Sequence, residues 1–421
     1  MNALFSIKDN LANQISYYHL LLLMASLPFD RFYSHLILIS LALHTLIQLN
    51  KKDLKYLFTW RTLVLQSVFY ITVLSTIYTL NKAEAFNEWG ERIAILIIPV
   101  IFCLNPLDLK KYRSPLLHSF ALVCTVTVIY LYADALLTIR HYQLPYNALF
   151  SSAFTNHNFS EPIDMHATFF SMQLAISLIF LLSMLIKETR FYYRVFHLVC
   201  ACILTAGIMQ LSSKSIFITL VLIINMAIPY FLLQGKRRWI LAGVTVSFSV
   251  LLIAAIFLSG TLHERYIIEF KSDLTKAQPG ETLDPRLERW GIAVELIRKS
   301  PVIGYGAGSE VGLLQDSFFN KKLYSSYLHK LNSHNQYLSF LIKSGAIGLL
   351  IYITTLVFGF KISIQQRDLL FFTFMSIITL VSLSENILDV DKGVFFYAFF
   401  FSFFVFSNLP AKLVSIPVKS A

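Results

Sequence analysis

The sequence predicts an all-α protein: a polytopic membrane bundle of about 12 transmembrane helices, with one long outer loop that carries helices of its own. Three observations lead there. Of 421 residues, 56% are hydrophobic and only 14% charged, where a soluble domain carries about 25% charge. Mean hydropathy is +0.63, and apolar runs long enough to cross a bilayer recur along the chain. The 37 Phe and 21 Tyr residues suit lipid-facing and interfacial positions. This balance excludes a disordered chain, a coiled coil and an ordinary cytosolic enzyme.

Reading the apolar runs in order gives spans at 14–29, 33–49, 62–80, 92–106, 116–137, 166–186, 191–211, 215–234, 239–260, 335–360, 367–386 and 393–410. The first and fourth are short and either tilt or sit partly in the interface. The first run lacks a strong basic region before it and a small-residue cleavage site after it, so it is expected to remain as an anchor. Basic residues concentrate in alternate loops: Lys51, Lys52 and Lys55; Lys110, Lys111 and Arg113; Lys187, Arg190 and Arg194; Lys236, Arg237 and Arg238. By the positive-inside rule these loops and both termini are cytoplasmic. The net charge of +11 is thereby explained without nucleic acid as a partner. Cys103, Cys124, Cys200 and Cys202 lie within apolar runs, without metal-ligand spacing and without the look of a disulfide framework.

The one long loop, 261–333, falls outside, with ten basic residues against nine acidic ones. HERYIIEFKSDL reads as a short amphipathic helix and KAQPGETLDP as a turn-rich break. RLERWGIAVELIRKS places Leu287, Trp290, Ile292, Ala293, Leu296 and Ile297 on one helical face, and Pro301 stops it. PVIGYGAGSEVG is a glycine-rich turn. It lacks the preceding strand and the following Lys-Ser/Thr of a nucleotide loop, so tight packing is the better reading. Three units result: a bundle at 1–260, a loop domain at 261–333, and the last spans at 334–421.

Candidate chemistry gathers where spans meet this loop. His334 and Asn335 open the span at 335; an imidazole there serves either as a general base or as a cap beside Ser333. Arg286 and Arg289 begin the loop helix, where guanidinium groups and the helix field both favour a phosphate; solvated surface charge is the plainer alternative. Lys214, in QLSSKSIF, is an anion ligand or a snorkelling interfacial residue. Asp134 and His166, at outer ends of spans, are each read as polar residues satisfied within the bundle. HExxH, Walker, GxSxG and CxxC patterns are absent from the sequence, so no metal or nucleotide cofactor is expected.

The order of these features is distinctive: a serine-rich hairpin with a cation, R-x-x-x-W and PVIGYGAG in a long outer loop, then SHNQYLSFLIKSGAIGLL. Over about residues 205–360 the chain resembles the bacterial O-antigen ligase and polymerase superfamily of membrane glycosyltransferases. The resemblance implies an enzyme of the inner (cytoplasmic) membrane whose active site faces the periplasm. It implies a lipid-diphosphate-linked glycan donor, usually on undecaprenyl, and for a ligase the lipid A core of lipopolysaccharide as acceptor, with membrane lipids around both. The family's loop arginine corresponds to Arg286 and its histidine to His334. Its hairpin position, often arginine, is Lys214 here, which keeps the charge but loses the fork. Catalytic roles are thus expected at His334 and Arg286, and substrate-binding roles at Lys214, Arg289 and Asn335. Ligase is the leading reading and polymerase the close alternative. A transporter of lipid-linked sugars would show repeat symmetry and midplane charges, whereas here the candidate charges gather at one rim.

Overall fold

The computed structural model describes residues 7–258, 260–269, 271 and 285–408. Every apolar run becomes a helix: α1 (Leu11–Ser26), α2 (Arg31–Ile47), α3 (Trp60–Ser75), α4 (Lys82–Leu104), α5 (Leu109–His141), α6 (Ala167–Lys187), α7 (Phe191–Leu211), α8 (Lys214–Leu232) and α9 (Lys236–Leu258). The loop contributes α10 (Arg286–Lys299) and α11 (Glu310–Asn320). The chain then continues through α12 (Gln336–Gln365), α13 (Leu369–Val381) and α14 (Asp391–Asn408). No strand occurs among the described residues.

By length and composition, five of these helices can cross a membrane: α5, α6, α7, α8 and α12. A sixth counts if α3 and the 3-10 helix before it, bent by 62°, form one broken span. Asx caps set many of the helix starts. Asn10, Asp30, Asn81, Asp108, Asn335 and Asp368 each accept backbone N–H bonds of the first turn, occupying donors that have no partner inside the helix.

The centre is aromatic. From Gly393 to Ser407, α14 is buried throughout and packs on α4, α5, α12 and α13. Its rings interlock, with Phe371 and Phe404 stacked at 5.5 Å and Phe396 and Phe400 at 4.9 Å. The outer helices instead expose large apolar side chains, among them Leu36, Ile39 and Leu43 on α2 and Tyr192, Leu198 and Val199 on α7. Exposure of this kind on several neighbouring helices is a lipid-facing surface.

Several boundaries differ from the hydropathy reading: the helix expected at 116–137 runs from Leu109 to His141, and the one expected at 62–80 stops at Ser75. The helix expected at 92–106 begins ten residues earlier, at Lys82. The one expected at 367–386 stops at Val381, leaving 382–390 as a loop built around a single turn at Ile387–Asp389. In the loop domain, Ile292, Ala293 and Leu296 are buried as expected, with Leu314, Phe318 and Ile342 completing a small core. Leu287 is instead 45% exposed. HERYIIEFKSDL is helical where it is described: His263 ends the helix Gly260–His263, and Glu264–Ile268 follows it directly. KAQPGETLDP lies outside the described residues up to Pro285.

Candidate functional site

Local chemistry builds the site around the start of α12. Asn335 is the cap: its Oδ1 accepts from Tyr337 and Leu338 N–H at 3.0 and 3.1 Å, and its Nδ2 donates to the Leu383 carbonyl at 3.2 Å. His334 is therefore released from capping. It sits in the left-handed region at φ 45, a conformation that histidine tolerates better than most side chains. Trp290, one turn after Arg286 on α10, donates to the Ser333 carbonyl at 2.9 Å. The R-x-x-x-W spacing thus puts an anchor for the histidine segment and a cation on one helix face.

Three ionisable side chains meet there. His334 Nδ1 lies 3.2 Å from Glu385 Oε2. Arg286 donates through Nη1 to the Ser384 carbonyl at 2.9 Å, and its Nη2 is 4.0 Å from Glu385 Oε1. The side chains of His334, Arg286 and Glu385 are 30%, 25% and 17% exposed, so a ligand can reach them. Burial pushes the Glu385 carboxyl up. The His334 hydrogen bond and the charges of His334, His166 and Arg286 outweigh burial and hold it below the usual carboxylate range. Where Nδ1–H is donated to Glu385, Nε2 is the ring nitrogen left to exchange a proton with a ligand.

Lys214 begins α8, after Ser212 turns the chain in a left-handed conformation. Its neighbour Ser215 accepts from the Ser384 hydroxyl at 3.0 Å, which joins the hairpin to the same 382–390 loop. The Lys214 ammonium lies 3.5 Å from Glu269. Arg289 is buried on α10.

Beneath the 382–390 loop lies a buried charge network that the sequence reading missed. Arg92 meets Glu88 at 2.7 Å and Asp389 at 2.5 Å. Lys343 meets Asp389 at 2.9 Å, Glu88 at 3.2 Å and Glu310 at 3.6 Å. Burial would raise the Asp389 carboxyl, but Lys343 and Arg92 hold it well below its usual range. Glu310 accepts from Ser333 N–H and Oγ at 3.0 and 2.7 Å, and Asn386 joins Glu310, Asp389 and the Asn335 N–H. The network thus fixes the backbone on both sides of His334.

The glycine-rich turn closes onto the same network. Gly308 N–H donates to Glu88 Oε2 at 2.7 Å, and Gly306 N–H to the Lys343 carbonyl at 2.7 Å. Its anion is the protein's own carboxylate. Gly345, at φ 60, interrupts α12 where an added Cβ would lie 2.3 Å from Val302 backbone, so only glycine fits that approach. Removing one cation from a buried network leaves its carboxylates uncompensated, at a cost of about 3–5 kcal/mol. Lys343→Met is expected to lower the thermal stability of detergent-purified protein markedly. An unchanged melting temperature would show that the network carries no such energy.

Glu385, Glu310, Asp389, Glu88, Arg92 and Lys343 were not among the candidates drawn from sequence. The available signal for Glu385 was LSENILDVDK, a polar, carboxylate-rich break between two apolar runs at the same end as His334.

Comparison with known proteins places this geometry in context. Residues 198–353 match the family model described as O-antigen ligase, a stretch within a few residues of the one read from sequence motifs. It includes Lys214, Arg286, Arg289, His334 and Asn335, and leaves Glu385 outside. No curated protein matches the chain.

Proposed function

We propose, on the premise that residues 198–353 form an O-antigen ligase-like domain, that the chain is a membrane glycosyltransferase that moves a glycan from a lipid-diphosphate donor, on undecaprenyl, to the lipid A core of lipopolysaccharide. The observation that carries this reading is the convergence of Arg286 and the His334–Glu385 pair at one partly exposed edge, with the Lys214 hairpin bonded to the same loop. A diphosphate-linked sugar already holds an activated anomeric carbon. Transfer then needs cations where negative charge grows on the leaving diphosphate, and a base for the attacking hydroxyl. Arg286 and Lys214 supply the cations. His334 Nε2 takes the acceptor proton as the hydroxyl oxygen bonds to the anomeric carbon and the diphosphate departs. Glu385 holds the ring and stabilises the imidazolium that forms.

Surface-glycan analysis of a deletion strain tests the activity. A core bare of polymer, with lipid-linked polymer accumulating, is the ligase result. Single repeat units on the core would mean a polymerase that joins units on the carrier, and unchanged surface glycan would overturn both.

This reading also places the loop domain in the periplasm, with both termini in the cytoplasm of a cell bounded by an outer membrane. Asp316 is exposed on α11. In a variant freed of its four native cysteines, Asp316→Cys is expected to react with an impermeant thiol reagent on intact spheroplasts. Reaction only after lysis would reverse the orientation.

A further inference from the structure

Away from the Arg286–His334 site, a cavity of about 300 Å³ lies between the end of α5 and the segment that follows it. Asp134, Thr138, Asn158 and Glu161 bring oxygen atoms to its wall, and Phe154 and Phe159 supply aromatic surface. The carboxylates of Asp134 and Glu161 have no hydrogen-bond or ion-pair partner among the described residues. Asp134 is half-buried on a helix long and apolar enough to span. Asp134 lies near the end of that helix and Glu161 is exposed, so both carboxylates can be reached by a ligand in the cavity.

The cavity is held open by its own scaffold. Gln210 on α7 donates to the Leu149 and Phe154 carbonyls at 2.7 Å each, and accepts from Asn156 N–H through its own carbonyl at 3.0 Å. Phe159 is buried against Tyr132, ring centres 5.0 Å apart, and Tyr132 donates to the Ala206 carbonyl. The segment then leads directly to the site. His157 and His166 rings lie 4.1 Å apart, and His166 is near enough to Glu385 and His334 to feel their charges.

We propose that this cavity is a carbohydrate subsite that holds one or two uncharged sugar rings of a glycan substrate, away from the reacting bond. Asp134 and Glu161 accept from sugar hydroxyls, and Phe154, held by the buried Phe159 behind it, covers the apolar face of a ring. The assignment of the ligand to the transferase's own glycan rests on the function proposed above. Three features select this ligand class. The volume stands at the lower end of small-molecule pockets, about 300–1,000 Å³, which suits a mono- or disaccharide. Acceptors set among aromatic walls fit a molecule rich in O–H donors with apolar ring faces. Two carboxylates repel phosphorylated or acidic sugars. A cation needs several oxygen ligands converging on one point, and no group of three or more His, Cys, Asp or Glu side chains among the described residues provides that.

Saturation-transfer NMR on detergent-purified protein tests the subsite directly, with cellobiose, lactose and N,N′-diacetylchitobiose as neutral probes and digalacturonate as the acidic one. At least one neutral disaccharide is expected to bind saturably, and digalacturonate not. Asp134→Asn combined with Glu161→Gln should weaken that binding tenfold or more, while His334→Ala leaves it unchanged. Thr138→Trp, which fills the cavity without removing either carboxylate, should abolish it. Failure of all three neutral probes, equal binding by the carboxylate variant, or calcium binding lost in that variant without any sugar binding would each overturn the proposal. Glycan transfer in membranes separates the two claims. A wild-type chain that binds disaccharide as described yet transfers nothing refutes the transferase reading and leaves the cavity a sugar site. A wild-type chain that transfers, with unchanged KM in the carboxylate variant, refutes the subsite alone.

Discussion

His334→Ala should cut glycan transfer by roughly 10²–10⁴, the usual worth of a general base, while the protein still binds its lipid-linked donor. The expectation rests on the division of labour proposed for the site. In the proposed function the donor's charge is met by Arg286 and Lys214, whereas among the described residues His334 is tied to Glu385 through its side chain and to Asn332 through its backbone N–H. Its ring makes no helix cap, since Asn335 performs that function, so truncation leaves α12 intact. Glu385→Gln should give a smaller loss, because an amide oxygen can still accept from Nδ1–H but carries no charge to stabilise the imidazolium. The measurements are paired: transfer in membranes and donor binding to purified protein. Lost transfer with retained binding supports the base. Lost binding would make His334 a donor ligand, and unchanged transfer in His334→Ala would remove it from the chemistry altogether.

The contrast between His334 and Glu385 shows what the sequence makes legible. Helices were readable because each is a continuous apolar run, and hydropathy is a local property. Their ends were less so. Asn81 caps α4 eleven residues before its apolar run, and the polar first turns persist because Glu88 and Arg92 find partners on α12 and in the 382–390 loop. Those contacts join residues some 250 to 300 positions apart, and nothing in NEWGERI announces them. His334 and Arg286 stood out by their place in a motif. Glu385 had only a polar loop to recommend it, and it becomes part of a site because Asn386 and Asp389 beside it are bound into the buried network. The glycine-rich turn was readable as tight packing from its composition, but its occupant was not. Glu88, more than two hundred residues earlier, fills the place an external anion would take.

Arg286→Ala should abolish most transfer and weaken donor binding. Hydrogen bonds to a charged group are worth about 1.5–3 kcal/mol each, or roughly 10- to 150-fold in affinity per bond lost. The position supports this beyond charge alone. Arg286 is the first residue of α10, so the helix field adds to its own attraction for a diphosphate. One of its nitrogens is already fixed by the Ser384 carbonyl, which orients the fork before a ligand arrives. That same bond means that truncation also loosens the 382–390 loop, so activity alone cannot assign the role. Arg286→Lys separates the two contributions. An ammonium can keep the Ser384 contact but cannot offer two parallel N–H bonds to phosphate oxygens. Arg286→Lys should therefore retain the thermal stability of the wild type, recover only part of the donor affinity, and remain well below wild type in transfer. Lys214→Arg, which adds a fork where the chain has a point charge, should be tolerated. Full transfer in Arg286→Ala would refute the diphosphate contact. Full transfer in Arg286→Lys would reduce the requirement to charge alone, and a loss of stability equal in both variants would make Arg286 a brace for the Glu385 loop instead of a donor ligand.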